Sequence, residues 1–298
     1  MVVETLRNVA QPIQLPDTYT NLLKRWPMLA PLLAAFENRD YGTFMHSVAV
    51  HFTATKLAQD LFPLLQTPIA TQQVVSNLAP FWLLHDIGKV AADRNIETAQ
   101  SLVHPIDPMQ RPGYDKARHW THPQMSYDIL EIWADQTSPN NKPLARKWAR
   151  LAYLHDFQLL PFLPNNETDT LSWPDQFSLL IFSLCDTTMA MGLPRPNKKT
   201  VHSEAQIMQV LYKNHLTDPA LKKLFPNQNL DELRQYICVS IFDSLRLLQK
   251  NYPESAWVES PTKIDQEKTQ VLDVLVHTAW NTSEQFWVAT MLRMSAYL

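Results

Sequence analysis

Leu83-Leu84-His85-Asp86-Ile87-Gly88-Lys89 sets an imidazole beside a carboxylate inside an apolar run. Burying such a pair unpartnered is costly, so something must satisfy it. A metal cation is the simplest candidate, because neutral imidazole and an ionised carboxylate can serve one cation, or two if the carboxylate bridges. The plain alternative is a capped, hydrogen-bonded pair at a helix end.

Outward from this stretch, the chain reads as helices. Only 4 glycines in 298 residues leave few positions suited to positive-φ turns, which argues against hairpin-rich sheets, a Rossmann turn or a phosphate-cradling loop. The 22 prolines act as punctuation between apolar periodic runs. Val48, Phe52, Leu57 and Leu61 recur at helical steps within 44–61, and a helix over 72–91 would carry the doublet on its last turns. Further helices are expected near 117–134, 144–158 and 175–191, with 92–115 as a Pro-rich connection. Past a boundary at 194–200, helices near 202–215, 230–250, 264–279 and 283–296 form a second all-α layer or subdomain. The expected organisation is a lead-in over 1–40, a helical domain over 41–195 that carries the doublet and a helical extension over 196–298.

With 45% apolar and 18% charged residues, the chain can bury a large core as one domain, or one plus a satellite. A formal charge of −3 lacks the basic excess of non-specific nucleic-acid binders. The start has no basic segment leading into an apolar one, and no stretch approaches the roughly 20 apolar residues of a membrane span. A cytoplasmic protein is expected. Cys185 and Cys238 are too few for a disulfide framework and read as buried thiols.

On this helical map His46, His85-Asp86, His122, His155 and Asp186 fall about one helix-plus-connection apart. Crossing or antiparallel helices can gather such positions into one cluster, as bundle metal sites do. His122, before Pro123, also reads as the start of a helix, and His155 as an ordinary helix end.

His46, then His85-Asp86-Ile87-Gly88-Lys89, then Asp186 resembles, in order, the signature of the HD superfamily of metal-dependent phosphohydrolases, over roughly residues 40–192. The resemblance implies an all-α HD-domain helical bundle with additional C-terminal helices. Within the superfamily it is nearest in look to the HD-GYP branch, which cleaves cyclic di-GMP, with His122 and His155 matching that branch's later histidines. The chain departs from the branch in lacking a Gly-Tyr-Pro motif after His155 and in having Asp156 where a histidine often repeats.

By coordination chemistry, His46, His85, Asp86 and Asp186 would then hold one metal, and a bridging Asp86 with His122 and His155 the other. The cations would acidify a water and clamp a phosphate. Four histidines and two carboxylates favour two divalent ions of iron, manganese or zinc over magnesium. Lys89, three residues past Asp86, would offer a point charge to the substrate, a nucleotide or cyclic dinucleotide.

Two other readings stay open. One is an HD-type di-iron oxygenase cleaving a C–C or C–P bond. The other is a degenerate domain that senses a nucleotide or meets a protein partner, or its own copy, through 200–298. His51 and His119 are expected to face away from the cluster, His104 to be exposed, and His202, His215 and His277 to be structural. Trp82, Trp120, Trp133, Trp148 and Trp173 suit core packing, with base stacking as the alternative. Arg146, Lys147 and Arg150 read as a solvated helix face.

Overall fold

Asp40 starts the helix around which the others gather. Its carboxylate accepts the Thr43 backbone N–H at 3.0 Å and the Thr43 hydroxyl at 2.7 Å, satisfying a donor that a helix start leaves free. The computed structural model describes residues 17–65, 69–90, 114–155, 171–194, 200–258 and 269–279, and among these residues there are helices and no strand. The helices are α1 (Asp17–Arg25), α2 (Ala30–Arg39), α3 (Tyr41–Leu61), α4 (Ile69–Leu84), α5 (Tyr114–Gln136) and α6 (Lys142–Tyr153). They continue as α7 (Trp173–Gly192), α8 (Glu204–Asn214), α9 (Asp218–Leu224), α10 (Leu230–Asn251), α11 (Ser255–Val258) and α12 over 269–279. The fold is all-α.

Every residue of α3 from Phe44 to His51 is buried, and so is every residue of α7 from Phe177 to Cys185. Helices buried on all sides are central ones. α1, α2, α4, α7, α10 and α11 all pack on α3. α5 and α6, joined through 137–141, form an antiparallel hairpin: Tyr127 meets Tyr153 and Trp133 stacks on Trp148. Trp148 ties this hairpin to α4 by donating its indole N–H to the Asn77 carbonyl at 2.8 Å.

The C-terminal helices share the same core, since one connected cluster of buried residues runs from Tyr19 to Ala279. Leu245 of α10 lies against Gly192 so closely that a Cβ there would meet its Cδ2 at 2.6 Å. Among the described residues, no helix is long and apolar enough to cross a membrane.

Three local expectations are corrected, all near the doublet or its partners. α4 stops at Leu84, not 91, so His85-Asp86 stands in the turn beyond it. There Ile87 N–H bonds Leu84 O at 3.1 Å and Lys89 N–H bonds Asp86 O at 2.9 Å, the three-residue spacing by which helix ends satisfy free carbonyls. Pro123 lies inside α5, which places His122 in mid-helix. An interior proline costs about 3 kcal/mol, and the packing of α5 along α6 outweighs it. α6 ends at Tyr153, so His155 also occupies a turn. The short helix α9 was not expected, and the helix read near 283–296 lies outside the described residues.

Candidate metal centre

Two turns and three helices converge on Asp86. The turn after α4 brings His85 and Asp86, the turn after α6 brings His155, and α3, α5 and α7 bring His46, His122 and Asp186. His46, His85, Asp86, His122 and His155 are all buried. Asp186, with 32% of its side chain exposed, marks the open side.

Asp86 directs one oxygen to each of two histidine sets. Oδ1 lies 3.1 Å from His122 Nε2 and 3.8 Å from His155 Nε2. Oδ2 lies 3.2 Å from His85 Nε2 and 4.0 Å from His46 Nε2. Asp186 Oδ1 completes the second set at 2.7 Å from His46 Nε2 and 3.8 Å from His85 Nε2. Bonds of about 2.1 Å to a shared cation would hold ligand atoms roughly 3.0 to 3.4 Å apart; Asp86 has that spacing to His122 and His85, and the other pairs fall on either side of it, from 2.7 to 4.0 Å.

The imidazoles are oriented for this. His85 Nδ1 is 3.0 Å from the Trp82 carbonyl, which can only accept, so Nδ1 carries the proton. His85 Nε2 is buried without a hydrogen-bond partner and looks toward oxygens of Asp86 and Asp186. Only positive charge, as a metal ion or an added proton, reconciles that nitrogen with those oxygens. His155 repeats the arrangement, with Nδ1 on the Ala152 carbonyl and Nε2 turned to His122 Nε2 at 2.9 Å. A ring nitrogen fixed on a carbonyl is the usual second contact of a metal-binding histidine. Phe182 walls the centre, its ring 4.6 Å from that of His85 and 5.6 Å from that of His155.

The local field sets the protonation of three of these groups. Burial alone would raise the Asp86 carboxyl, yet the charges of His85 and Lys89 and a hydrogen bond from His122 hold it well below the usual range. Asp186 follows the same pattern: burial raises it, and the His46 hydrogen bond and charge bring it below that range. Burial pushes His122 down to about 3, against the pull of Asp86. Both acids are ionised and His122 is neutral at pH 7.

Lys89 sets its ammonium on Asp86 Oδ2 at 2.5 Å and stays 16% exposed, so it meets the carboxylate first and the opening second. Ser126, passed over in the sequence, and Gly88, read there only as part of the signature, build the centre from behind. Ser126, buried on α5, donates its hydroxyl to the His85 carbonyl at 2.7 Å and accepts the Gly88 N–H at 2.9 Å. A Cβ on Gly88 would collide with the His122 carbonyl and the Ser126 nitrogen. The readable signal was that Ser126 follows His122 by one helical turn, on the same face.

His51 lies outside the cluster, tilted against Trp82 at the edge of a pocket of about 180 Å³ that Trp26 and Gln59 also line. His215 sits 3.0 Å from Thr187 Oγ1, its pKa lowered by burial. His202 donates its backbone N–H to Met191 O, and His277 is exposed. His104, Asp156 and the His119 and Trp120 side chains lie outside what is described. Trp82, Trp133 and Trp148 are core residues, and Trp173 stacks on Phe177. Arg146 pairs with Glu131 and Asp135, and Lys147 with Asp175, as an ion-paired helix face. Burial raises the Cys185 thiol well above its ordinary range, which keeps it a packing group.

Fold and site together define an all-α protein with two adjoining buried groups, His46-His85-Asp86 and Asp86-His122-His155, that can hold a metal ion. No family model, curated protein or solved structure matches the chain.

Proposed function

We propose that this chain is a metal-dependent phosphohydrolase of the HD type, hydrolysing a phosphoester of a nucleotide or cyclic dinucleotide at a centre of two divalent ions of iron, manganese or zinc. The observation that carries this reading is Asp86 offering one oxygen to each of two histidine sets. His46, His85 and Asp186 share its Oδ2 side, and His122 and His155 its Oδ1 side.

Bound cations supply Lewis acidity and a water acidic enough to yield hydroxide near neutral pH. The chain's own contribution is orientation and field. The carbonyls of Trp82 and Ala152 hold two imidazoles with their lone pairs inward. Phe182 keeps one side of the centre dry. The partly exposed Asp186 and Lys89 mark the side by which a phosphate enters, and Lys89 presents the charge that meets it.

The same donors suit a di-iron oxygenase, and Lys89 beside Asp86 is the feature that favours phosphate. The test strips the protein with chelator, reloads it with iron(II), manganese or zinc, and follows bis(p-nitrophenyl) phosphate hydrolysis and oxygen uptake beside Asp86→Ala. Hydrolysis and bound metal are expected in the unsubstituted chain and lost in the variant. Equal, near-zero metal in both would sink the reading, and oxygen uptake without hydrolysis would replace it with the oxygenase.

A further inference from the structure

Asp86 can bridge two histidine sets only if the turn that carries it is pressed onto α5, where His122 stands. Two features perform that pressing, and neither is a ligand. Ser126 is fully buried and spends its hydroxyl across the gap, giving its proton to the His85 carbonyl at 2.7 Å and accepting the Gly88 N–H at 2.9 Å. It thereby grips the turn on both sides of Asp86. Gly88 lets the turn close, since any side chain there would strike the α5 backbone at His122 and Ser126.

The two histidine sets depend on this clasp differently. His85 and Asp86 share one turn, and His46 and Asp186 reach them from α3 and α7, so their mutual placement does not run through α5. The 3.1 Å approach of Asp86 Oδ1 to His122 Nε2 does. His122 and Ser126 lie one turn apart on α5, so a shift of the doublet at Ser126 moves Asp86 against His122 directly.

We propose that Ser126 is the positioning residue that sets the nuclearity of the centre. It assembles the Asp86-His122-His155 half and leaves the half built on His46, His85 and Asp186 largely independent. The proposal rests on the two-metal reading above. It makes Ser126 responsible for the second metal without touching it.

The experiment measures bound manganese or cobalt(II) per full-length chain, by elemental analysis and titration calorimetry, for the unsubstituted protein, Ser126→Ala, the near-isosteric Ser126→Cys and His122→Ala. Circular dichroism checks folding. The unsubstituted chain should bind two equivalents. Ser126→Ala should keep the first affinity and weaken the second roughly 10- to 100-fold, the usual effect of removing an outer-shell partner. The spectrum of a coupled cobalt pair should then revert to that of an isolated ion, as in His122→Ala. Ser126→Cys, which preserves the packing, should fall between and carries the test if the alanine variant does not fold. Two equivalents at unchanged affinity in the serine variants would overturn the proposal while leaving the metal centre intact. Equal loss of both equivalents would overturn it too, because the clasp would then serve the whole site. No metal on the unsubstituted chain would overturn the underlying functional reading as well, and is seen separately.

Discussion

His85 and His155 are held by the same device. Each stands in the turn just past a helix, and each gives its Nδ1 proton to the carbonyl three residues earlier, Trp82 for one and Ala152 for the other. The last carbonyls of a helix lack partners and carry partial negative charge, so the imidazole answers a need of the helix end while its Nε2 is aimed inward. The two helix ends thus act as matched mounts on either side of Asp86.

From this comes a prediction about metal-linked stability. A ligand bound only by the folded state stabilises by about 2.7 kcal/mol at 100 times its Kd. Manganese or zinc should raise the melting temperature of the unsubstituted chain, and chelator should reverse the rise. His85→Ala should cancel most of the rise, and His155→Ala should leave the part due to the first metal. Differential scanning fluorimetry with and without chelator checks this, and a melting temperature indifferent to metal counts against the centre.

Stability of the metal-free protein should fall with acid over a defined window. His122 titrates near 3 in the fold and near 6.5 when unfolded, so below about 6.5 the unfolded chain takes up a proton that the native one refuses. The stability tied to this group is present above about 6.5 and lost as pH falls toward 3. Asp86 and Asp186, held below their ordinary range, add a further loss once pH drops beneath the usual carboxylate values near 3.8. Urea midpoints measured at pH 7, 5.5 and 4 should decline in order, and His122→Gln should flatten the first part of the decline.

The residues that converge here are ones the chain itself singles out, because a carboxylate and several histidines in apolar helices need partners and helix-scale spacing suggests where to find them. The helical class follows from few glycines and many prolines. What could not be read depends on approach between distant segments. Nothing local to Gly88 says that the α5 backbone will lie against it, and nothing local to Ser126 says that its hydroxyl will span a turn about 40 residues earlier. Pro123 misled for a related reason: proline marks helix starts by propensity, and here tertiary packing carries the helix through it.

Lys89 should affect metal and substrate in opposite directions. Its ammonium rests on Asp86 Oδ2, the oxygen turned toward His46 and His85, so a cation bound there meets a like charge. Lys89→Met should leave metal affinity unchanged or tighter. The same change removes a charged contact to phosphate worth about 1.5 to 3 kcal/mol, so kcat/KM for a phosphodiester should fall roughly 10- to 100-fold. Calorimetry with manganese and steady-state kinetics on the loaded enzyme separate the two. Weaker metal binding in the variant would show that Lys89 supports the centre rather than opposing its charge.

Two glycines, each in close contact with another helix, should respond to alanine in different ways. At Gly192 the added Cβ would meet the two methyls of Leu245, at 2.6 and 2.8 Å, and those are the far end of a flexible side chain. Gly192→Ala should therefore cost about 1 to 3 kcal/mol by overpacking α7 against α10, with metal content unchanged, and Leu245→Ala in the same chain should relieve part of the strain. At Gly88 the obstacle is backbone of α5, which cannot rotate aside. Gly88→Ala should push the doublet off His122 and lower the metal held per chain even where circular dichroism reports a helical fold. Denaturation midpoints paired with metal analysis distinguish the outcomes. Full metal content in Gly88→Ala would mean that the turn has another way to bring Asp86 to His122.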